Sequence, residues 1–484
     1  MLFDVTVHPQ KTVDKIIQKC NTKQMLRMEQ IIDKNKELTK KVSELEEKNA
    51  QLEGEIERLR EQKKELDRQL GMNSTNSSKP PSSDGMKVTR PKKKTTGRKK
   101  GKQRGSKGYR RINLEPTEII NHYAGHCNGC ESSMEGLPSK GYQSRQQVEI
   151  PEIKAMVIEH RYHIVDCPCC GETITAEVNK AEKICCGPRL TGLIAALTTV
   201  YNLSRRNVQS IISSILETDL SLGSIDNRVQ EVGRALDEPV KELKSQLQKE
   251  ESLHIDETGW KKSGKRMWAW VFVAKTIVFF HIDSSRGRNV LKSILGEGII
   301  ISDYYNVYRN YSKKWQTCLA HTIRKAKGLI EDDDKLVQAV GYLLKRELKM
   351  MIELWRKGRN TTPEMDECKA RLKILCTYNK DNDNKQVRNL CKLILDGWEA
   401  VVYFTEVDGI EPTNNIAERF LRLLVISRKI NFGSQSDAGV KTTAYLRTVA
   451  GTCRIRKIST WNYLAAVVEA YRKGIEIPMV PHAL

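Results

Sequence analysis

The sequence predicts a multidomain protein in which a mixed α/β core is joined to an N-terminal coiled coil and a small cysteine-rich module. Three observations lead to this prediction. Residues 28–70 repeat apolar side chains every seven positions, two Cys-x-x-Cys pairs lie between residues 127 and 170, and β-rich runs followed by helical segments occupy the chain after residue 250. A chain of 484 residues is long enough for about three domains and a sizeable core.

The amino-acid composition indicates what kind of molecule the protein binds. The chain has 82 basic and 60 acidic residues, and the net charge of +22 favours a polyanion such as nucleic acid. It has no run of eighteen apolar residues, and MLFDVTVHPQ lacks the apolar centre of a signal peptide, so we expect a cytoplasmic, nucleoid-associated protein with no membrane partner. Thirteen cysteines are few for a disulfide scaffold, and close pairs in a reducing compartment are better interpreted as metal ligands.

Residues 1–71 are expected to form an N-terminal helix with a leucine-zipper coiled coil. Asn35, Asn49 and Lys63 fall at a positions of the heptad. Leucine at d with intermittent polar a residues favours a parallel homodimer. A single helix packed on its own domain would need a wider apolar stripe. The d positions are Ile31, Leu38, Leu45, Leu52, Leu59 and Leu66.

Residues 72–111 are expected to form a flexible linker and a basic segment. NSTNSSKPPSSDG cannot bury a core, and residues 87–111 then hold thirteen Lys or Arg and no acid. Such a run is often only a solvated tail, but between a dimerisation helix and a cysteine module it favours sequence-independent contact with DNA or RNA. The candidate contacts are Lys92, Lys93, Lys94, Arg98, Lys99 and Lys100.

Residues 112–187 are predicted to form a zinc ribbon. Cys127 and Cys130 form one knuckle and Cys167 and Cys170 a second, separated by the β-like runs QQVEI and KAMVIEHRYHIV. Four thiolates suit a closed, structural Zn²⁺ site. Three alternatives stay open: Cys169 replaces a ligand, Cys185 and Cys186 compete as a pair, or the thiols are buried without metal.

Residues 188–249 are predicted to be helical, with the spacing of a helix-turn-helix. Three helices follow one another, the second capped by Ser204 and the third beginning near Gly223. Small helical bundles without a DNA function are common, so both interpretations stay open. If the region binds DNA, the third helix would enter the major groove with Asn227, Arg228 and Gln230 as candidate contacts.

The remaining chain predicts an α/β core in two parts, 250–323 and 411–484, interrupted by an all-helical insertion at 324–410. LHI ends at Asp256 before an expected turn at Thr258-Gly259, RMWAWVFVA and IVFFHID have hairpin spacing, and GIIIS ends at Asp303. Strand, hairpin, strand and a later helix is a ribonuclease-H-like layout.

Asp256, Asp303 and Glu418 are the candidate catalytic residues, because both aspartates would project from strand ends and Glu418 lies in the first turn of the later helix. Carboxylates of this kind hold Mg²⁺ or Mn²⁺ together with a substrate phosphate, which suits phosphoryl transfer. Each acid also has a structural interpretation: Asn415-x-x-Glu418 has capping-box spacing, and Asp303 could cap a turn or helix. Cys318-x-x-His321 is only half a tetrahedral metal site and favours a positioning or packing role.

Four of these motifs together resemble a known family. Asp256-Glu257-Thr258, Asp303-Tyr304-Tyr305, CLAH at 318–321 and NNIAER at 414–419 are similar to the bacterial insertion-sequence transposases of the sixty-six group. The resemblance also includes the zipper, the segment NSSKPPSSD and the cysteine pairs. The chain departs from the family pattern at Ile323 and Lys325, which replace frequent arginines, and at RKINFGS, which bears on DNA contact rather than on the acids.

The resemblance implies a DDE transposase with the three acids in metal-binding roles. Its partners would be DNA, a second copy of the chain and small accessory proteins of the same element. We expect metal-dependent strand cleavage and transfer without a covalent enzyme intermediate. Candidate phosphate contacts on or after the glutamate helix are Arg419, Arg422, Arg428 and Lys429, although a solvated helix face is the alternative for Arg422.

Two other functions stay open. A non-catalytic, dimeric, zinc-containing DNA-binding regulator would need only the N-terminal modules, and the order of the three acids argues against it. A stand-alone ribonuclease-H-like nuclease would not need a dimerisation helix.

Overall fold

The computed structural model describes residues 9–73, 76–77, 113–178, 184–312 and 314–482. The chain divides into two compact units, Met1–Ser83 and Asp84–Leu484. Nearly all of the predicted linker and basic segment, including Lys92, Lys93, Lys94, Arg98, Lys99 and Lys100, lies outside the described residues. Across the ranges described, no helix combines the length and the apolar content needed to cross a bilayer.

The first unit contains one long helix, α1, which runs without a break over Pro9–Gly71. The six d-position side chains of the predicted heptad are between 52 and 61% exposed. Lys41 and Glu37 form an i,i+4 ion pair at 2.6 Å on the polar surface. A stripe of exposed leucines on an otherwise charged helix is the surface that a coiled-coil partner would bury.

Residues 113–178 contain little regular structure. Strands β1, Ile164–Asp166, and β2, Thr173–Thr175, form an antiparallel hairpin around the second cysteine knuckle. A single bridge between His126 and Ser133 flanks the first knuckle. The predicted strand at 146–150 is absent from this described stretch, and of the run at 154–165 only its last two residues are strand, so that expectation was wrong.

Four helices follow, at Pro188–Thr199 (α2), Arg205–Leu216 (α3), Leu222–Ala235 (α4) and Asp237–Leu247 (α5). Ser204 caps α3 as predicted, accepting a hydrogen bond from Asn207 N, and Ser221 caps α4 in the same way through Ser224 N. Pro188 occupies the first turn of α2, where its missing N–H leaves no helical bond unmade.

A five-stranded sheet forms the centre of the second unit, with strand order β5-β4-β3-β6-β7. Within this sheet, β3, β4 and β5 pair as antiparallel neighbours. Strand β6 pairs in parallel with the other side of β3, and β7 pairs in parallel with β6. The predicted hairpin between β4 and β5 is therefore present. The strands are Ser252–Lys262 (β3), Lys265–Val273 (β4), Val278–Asp283 (β5), Ile299–Ser302 (β6) and Trp315–Thr317 (β7).

Both faces of the sheet are buried, and β4 shows why. Trp270 and Phe272 join the hydrophobic cluster that also contains helices α2 to α5, whereas Val271 and Val273 join a second cluster on the opposite face. Successive strand residues point to opposite sides, so an apolar run without polar alternation places large side chains on both faces. The second face is covered by α13, Asn415–Asn431, and by α14, Asp437–Ile455.

Helix α14 also closes the free edge of β5. Thr448 Oγ1 accepts a hydrogen bond from Phe280 N at 2.9 Å, and Thr452 Oγ1 accepts one from Val278 N at 3.1 Å. Gly451 allows this approach, because a Cβ there would lie 2.8 Å from Val278 Cβ. The edge strand is thus paired with side chains and is unavailable to another strand.

Between β7 and the segment before α13, the described residues 319–405 form only helices and one 3₁₀ turn, in agreement with the predicted all-helical insertion. These helices have their own hydrophobic cluster, in which Leu344, Leu372 and Ile394 are fully buried. The elements are Leu319–Ile330 (α8), Lys335–Arg356 (α9), Pro363–Asn379 (α10), Lys385–Asp396 (α11), Trp398–Val402 (α12) and the turn Tyr403–Thr405. Short helices Arg288–Ile294 (α6) and Asn306–Arg309 (α7) flank β6, and Thr460–Lys473 (α15) ends the fold.

The hydrophobic core is continuous across the domain boundary expected at residues 249/250. Leu243 and Leu247 of α5, Ile255 of β3 and Val467 of α15 belong to one continuous hydrophobic cluster. The four-helix region and the sheet therefore share a core, since the helices bury their apolar faces on each other, on α15 and on the sheet.

Replacing Leu52 on α1 tests the coiled coil. We expect Leu52→Pro to abolish dimerisation of residues 25–72, because proline removes a helical hydrogen bond and the seam leucine at once. Sedimentation at micromolar concentration measures this. Glu47→Ala, at an outward position of the same heptad register, should leave the dimer intact, and a monomeric wild-type segment would contradict the prediction.

Candidate active site

The three predicted acids come from neighbouring elements of the second unit. Asp256 lies in the middle of β3, opposite Val271 of β4. His254 is paired with Ile301 in the parallel register between β3 and β6, so Asp256, two residues on, lies beside Asp303 at the end of β6. Glu418 is in the first turn of α13, which packs on β3. The expected turn at Thr258-Gly259 was wrong, because β3 continues to Lys262 and the chain turns at Ser263-Gly264.

Electrostatics confirm that the carboxylates influence one another. Burial raises the pKa of Asp256 well above its usual value, and the neighbouring charges of Glu257, Asp303 and Glu418 raise it further. Asp256 Oδ1 accepts a hydrogen bond from Glu257 N at 2.9 Å, which opposes these effects. The three acids are half-buried, and like charges held close together are costly unless they share a proton or a cation, so the arrangement favours cation binding.

Glu418 has close neighbours on α8. Arg324 Nη2 donates to Glu418 Oε1 at 3.0 Å and to Oε2 at 3.3 Å. His321 Nε2 lies 3.6 Å from Glu418 Oε1, while its buried Nδ1 has no hydrogen-bond partner. Burial lowers the pKa of His321, with the charge of Arg324 acting in the same direction. The glutamate is thus held in place by the Arg324 guanidinium, with the half-buried imidazole of His321 beside it.

In the described part of the chain, Cys318, His321 and Glu418 are the one set of three possible metal ligands that lie within 4.8 Å of one another. Burial raises the pKa of Cys318 to about 11, which keeps it a thiol, and its sulfur accepts a hydrogen bond from Asn414 N at 3.1 Å. A protonated, occupied thiol is a poor ligand. This geometry supports the expectation that Cys318 and His321 have packing and positioning roles.

The start of α13 is fixed by Asn414. Its Nδ2 donates to Ile255 O at 2.7 Å, and its Oδ1 lies 3.2 Å from His254 Nδ1. Asn414 is the N-cap residue of α13 and makes no side-chain cap bond, so the capping-box interpretation of Asn415 and Glu418 is not realised. The Glu418 side chain stays available for the site.

Sequence reasoning missed a second carboxylate next to Asp256. Glu257 is 2% exposed and pairs with Arg286 at 2.6 Å, and the Tyr308 hydroxyl donates to its other oxygen. The Arg286 guanidinium lies over two rings, 4.5 Å from the centroid of Trp268 and 4.1 Å from that of Tyr305. The network joins β3 to the segment after Asp303. Its sequence signal was the acid directly after Asp256, but its partners lie far away in the chain.

The site lies within residues 183–442, which match the family described as "Transposase IS66 family". The matched segment is more than half of the chain and contains all three acids. The chain belongs to the IS66 transposase family. The resemblance inferred from the sequence is confirmed.

Two further matches cover the N-terminal regions. Residues 125–171 match the "zinc-finger binding domain of transposase IS66", and residues 22–112 match a "Family of unknown function (DUF6444)". A protein described as "Uncharacterized protein y4qI", from Sinorhizobium fredii (strain NBRC 101917 / NGR234), is 22% identical over 250 residues. That match covers 44% of this chain and 45% of the relative, so it spans less than half of the relative's length.

The IS66 zinc-finger match contains both cysteine knuckles, which share one backbone geometry. The residue after each pair donates its N–H to the carbonyl of the first cysteine, Glu131 to Cys127 at 2.9 Å and Gly171 to Cys167 at 2.8 Å. Both of these residues have positive φ, 59° and 73°. Backbone N–H groups of Cys170 and Cys169 lower the pKa of Cys167. The second knuckle therefore favours the thiolate of Cys167, the form that binds Zn²⁺.

The basic residues of the IS66 domain differ in their surroundings. Arg428 donates to Gly259 O and lies 3.3 Å from Thr258 Oγ1, so its guanidinium ties the end of α13 to β3. Arg419, Arg422 and Lys429 are exposed. Arg428 is therefore placed to position α13, whereas the other three are accessible to a phosphate.

The predicted recognition helix, α4, is partly covered. Arg228 pairs with Glu231 of its own helix at 3.3 Å and is 16% exposed. Gln230 Oε1 accepts a hydrogen bond from Thr442 Oγ1 of α14 at 2.9 Å. In this structure these two side chains are not placed to reach base edges. Asn227 is exposed, and its contact with DNA stays a prediction.

Metal analysis tests the knuckles. We expect one Zn²⁺ per chain, lost in Cys130→Ser and Cys167→Ser, because a closed tetrahedral site cannot keep its ion with a ligand missing. Chelation should unfold the ribbon and weaken DNA binding. The matched control is Cys185→Ser, an exposed thiol outside the two pairs. Unchanged zinc content in both knuckle variants, or loss in Cys169→Ser instead, would assign the ligands differently.

The pH dependence of stability tests the burial of His254. Burial lowers the pKa of His254 to about 4. Because the unfolded chain binds this proton more readily, the folded state loses stability as pH falls from about 6.5 to 4. Between pH 7.5 and 5, urea denaturation should show the wild type losing about 2 kcal/mol more than His254→Gln. Equal losses in the two proteins would contradict this assignment.

Proposed function

We propose that this IS66-family chain is a DNA transposase that performs metal-dependent strand cleavage and strand transfer on the ends of an insertion sequence. The observation that carries the proposal is the register between β3 and β6, which brings Asp256 and Asp303 side by side under the helix that bears Glu418. A non-catalytic regulator would need no such group of half-buried acids.

The sheet supports a ribonuclease-H-like core. In chain order, the three antiparallel strands β3, β4 and β5 are followed by the two parallel strands β6 and β7. Asp256 lies on β3, and Asp303 follows β6 directly. The third acid lies on a helix that follows the all-helical insertion. Domain limits at 1–71, 72–111, 112–187, 188–249, 250–323, 324–410 and 411–484 belong to this proposal, with 188–249 packed on the core rather than separate from it.

Asp256, Asp303 and Glu418 would hold two Mg²⁺ or Mn²⁺ ions. Their fit is supported by the register that places Asp256 beside Asp303. Burial first, and then the charges of Glu257, Asp303 and Glu418, raise the pKa of Asp256, and a cation would relieve the repulsion between these charges. The three acids do not form a cluster within 4.8 Å, and ligands shared between two ions need not. Bound ions of this kind would activate the attacking hydroxyl and stabilise the charge on the attacking and leaving oxygens.

The protein's own groups would position these acids. Arg324 holds Glu418 from α8, where His321 lies beside it, Asn414 fixes the start of its helix, and Arg428 fixes the end. Arg419, Arg422 and Lys429 would bind phosphates along the approaching strand. Water and then a 3′-hydroxyl would attack in line, and no covalent bond to the protein is needed.

The N-terminal modules would bring two element ends together. The coiled coil would join two copies, the basic segment would bind DNA through phosphates, and the zinc ribbon would orient that segment. The partners are then DNA, a second copy of the chain and small accessory proteins of the same element, and the protein would act in the cytoplasm on nucleoid DNA. A stand-alone nuclease would not require this pairing of ends.

Removing any one acid tests the proposal. Asp256→Ala, Asp303→Ala and Glu418→Ala should each reduce strand cleavage and joining by at least about a thousandfold, because each removes several kcal/mol of charge stabilisation. Binding of the ends should change little. The substrate is a duplex of the inverted repeats that flank the gene, assayed with Mg²⁺ or Mn²⁺.

Glu297→Ala is the matched control, since Glu297 is an exposed carboxylate in the loop before β6. It should cleave and join at the wild-type rate. An alanine variant that still joins strands would remove that residue from the site.

A further inference from the structure

A groove lies between the end of α9 and the start of α13, with a volume of about 530 Å³. Arg356 and Trp355 line it from the insertion, and Arg419, Arg422 and Glu418 line it from α13. Glu418 thus belongs both to the groove and to the three acids. Whatever fills the groove lies next to the proposed site of strand cleavage.

The groove carries three arginines, whose charge exceeds that of the two carboxylates, Glu411 and Glu418, that also line it. Among the described residues, no carboxylate lies within 4 Å of the guanidinium of Arg356, Arg419 or Arg422, and all three side chains are exposed. Other arginines of the insertion do have partners, such as Arg371 with Glu347 at 3.0 Å and Arg359 with Glu364. Unpaired guanidiniums gathered around one groove favour an anionic ligand with several acceptor oxygens, such as a phosphodiester.

The groove also has an apolar surface that a phosphate alone would not need. Trp355 is half-buried against the insertion core, and Ile352 beside it is 8% exposed. Aromatic rings beside cationic side chains bind single-stranded nucleic acid, because bases stack on the ring while the phosphates contact the cations. A volume of this size is within the range of small-ligand sites.

We propose that this groove binds one unpaired nucleotide next to the scissile phosphate, with its base on Trp355 and its phosphates on Arg356, Arg419 and Arg422. The inference rests on the proposed transposase function, since the acids define where the scissile phosphate lies. Because Glu418 also lines the groove, a strand bound at the three acids would lie beside it. The helical insertion therefore supplies a substrate contact, and local unpairing of the element end precedes or accompanies cleavage.

The test uses the full chain and two fluorescein-labelled duplexes of the flanking inverted repeat. One duplex is fully paired, and the other carries three unpaired thymidines beside the cleavage position. Fluorescence anisotropy without added Mg²⁺ or Mn²⁺ measures the Kd of each duplex. The ratio of the Kd of the paired duplex to that of the unpaired duplex does not depend on the affinity that the N-terminal modules contribute to both. The wild type should bind the unpaired duplex about tenfold more tightly.

Trp355→Ala should bring this ratio to about one, and Trp355→Phe should keep most of it because the ring can still stack. Arg356→Ala should lower the ratio, whereas Arg359→Ala, paired with Glu364 and outside the groove, should not change it. Arg356 is exposed, so its variant decides the question if Trp355→Ala does not fold. A wild-type ratio of one, or an unchanged ratio in Arg356→Ala and in any folded Trp355→Ala, would overturn the proposal.

Cleavage of the paired duplex with Mg²⁺, measured in parallel, separates the two proposals. Cleavage that depends on the three acids, together with a wild-type ratio of one, would reject the groove alone. A tenfold ratio that Trp355→Ala removes, without strand cleavage by any preparation, would reject the transposase function and leave the groove as a binding site.

Discussion

One buried side chain, Asn414, determines how helix α13 meets the sheet. It is 1% exposed and bonds to β3 through Ile255 and His254, while its backbone N–H bonds to Cys318 before α8. Because a buried amide must satisfy all its polar atoms, any shift of α13 would leave groups unpaired. Glu418, one turn further on, is thereby held over the strand that bears Asp256.

The sheet can support this site because it has no exposed face and one covered edge. Helix α13 and helix α14 pack on one side, and the four-helix region packs on the other through a shared core. The threonines of α14 bind the outer edge of β5. Burial on both faces restricts movement of β3 and β6, so the two aspartates keep one register. The site is accordingly a property of the whole second unit.

Burying several acids together costs free energy, and the surroundings offset part of it. Arg286 and Tyr308 bind Glu257, and Arg324 binds Glu418, whereas Asp256 and Asp303 each accept only one nearby backbone N–H among the described hydrogen bonds. The two aspartates are therefore the least compensated carboxyl groups of the set. Carboxyl groups that lack partners until a ligand binds are typical of functional sites.

Local patterns in the sequence were enough to predict the heptad leucines of α1, the β4 and β5 hairpin, the helical insertion, the paired cysteines and the three candidate acids. The full length of β3 could not be predicted in this way, because ETGWKK becomes strand through pairing with β4 and not through its own propensity. Tertiary packing also placed Arg228 beside Glu231 within α4, turned Gln230 and Arg428 toward other elements and gave Glu257 its partners. Such contacts join residues up to about 210 positions apart, and a local pattern holds no information about which distant side chain will lie opposite.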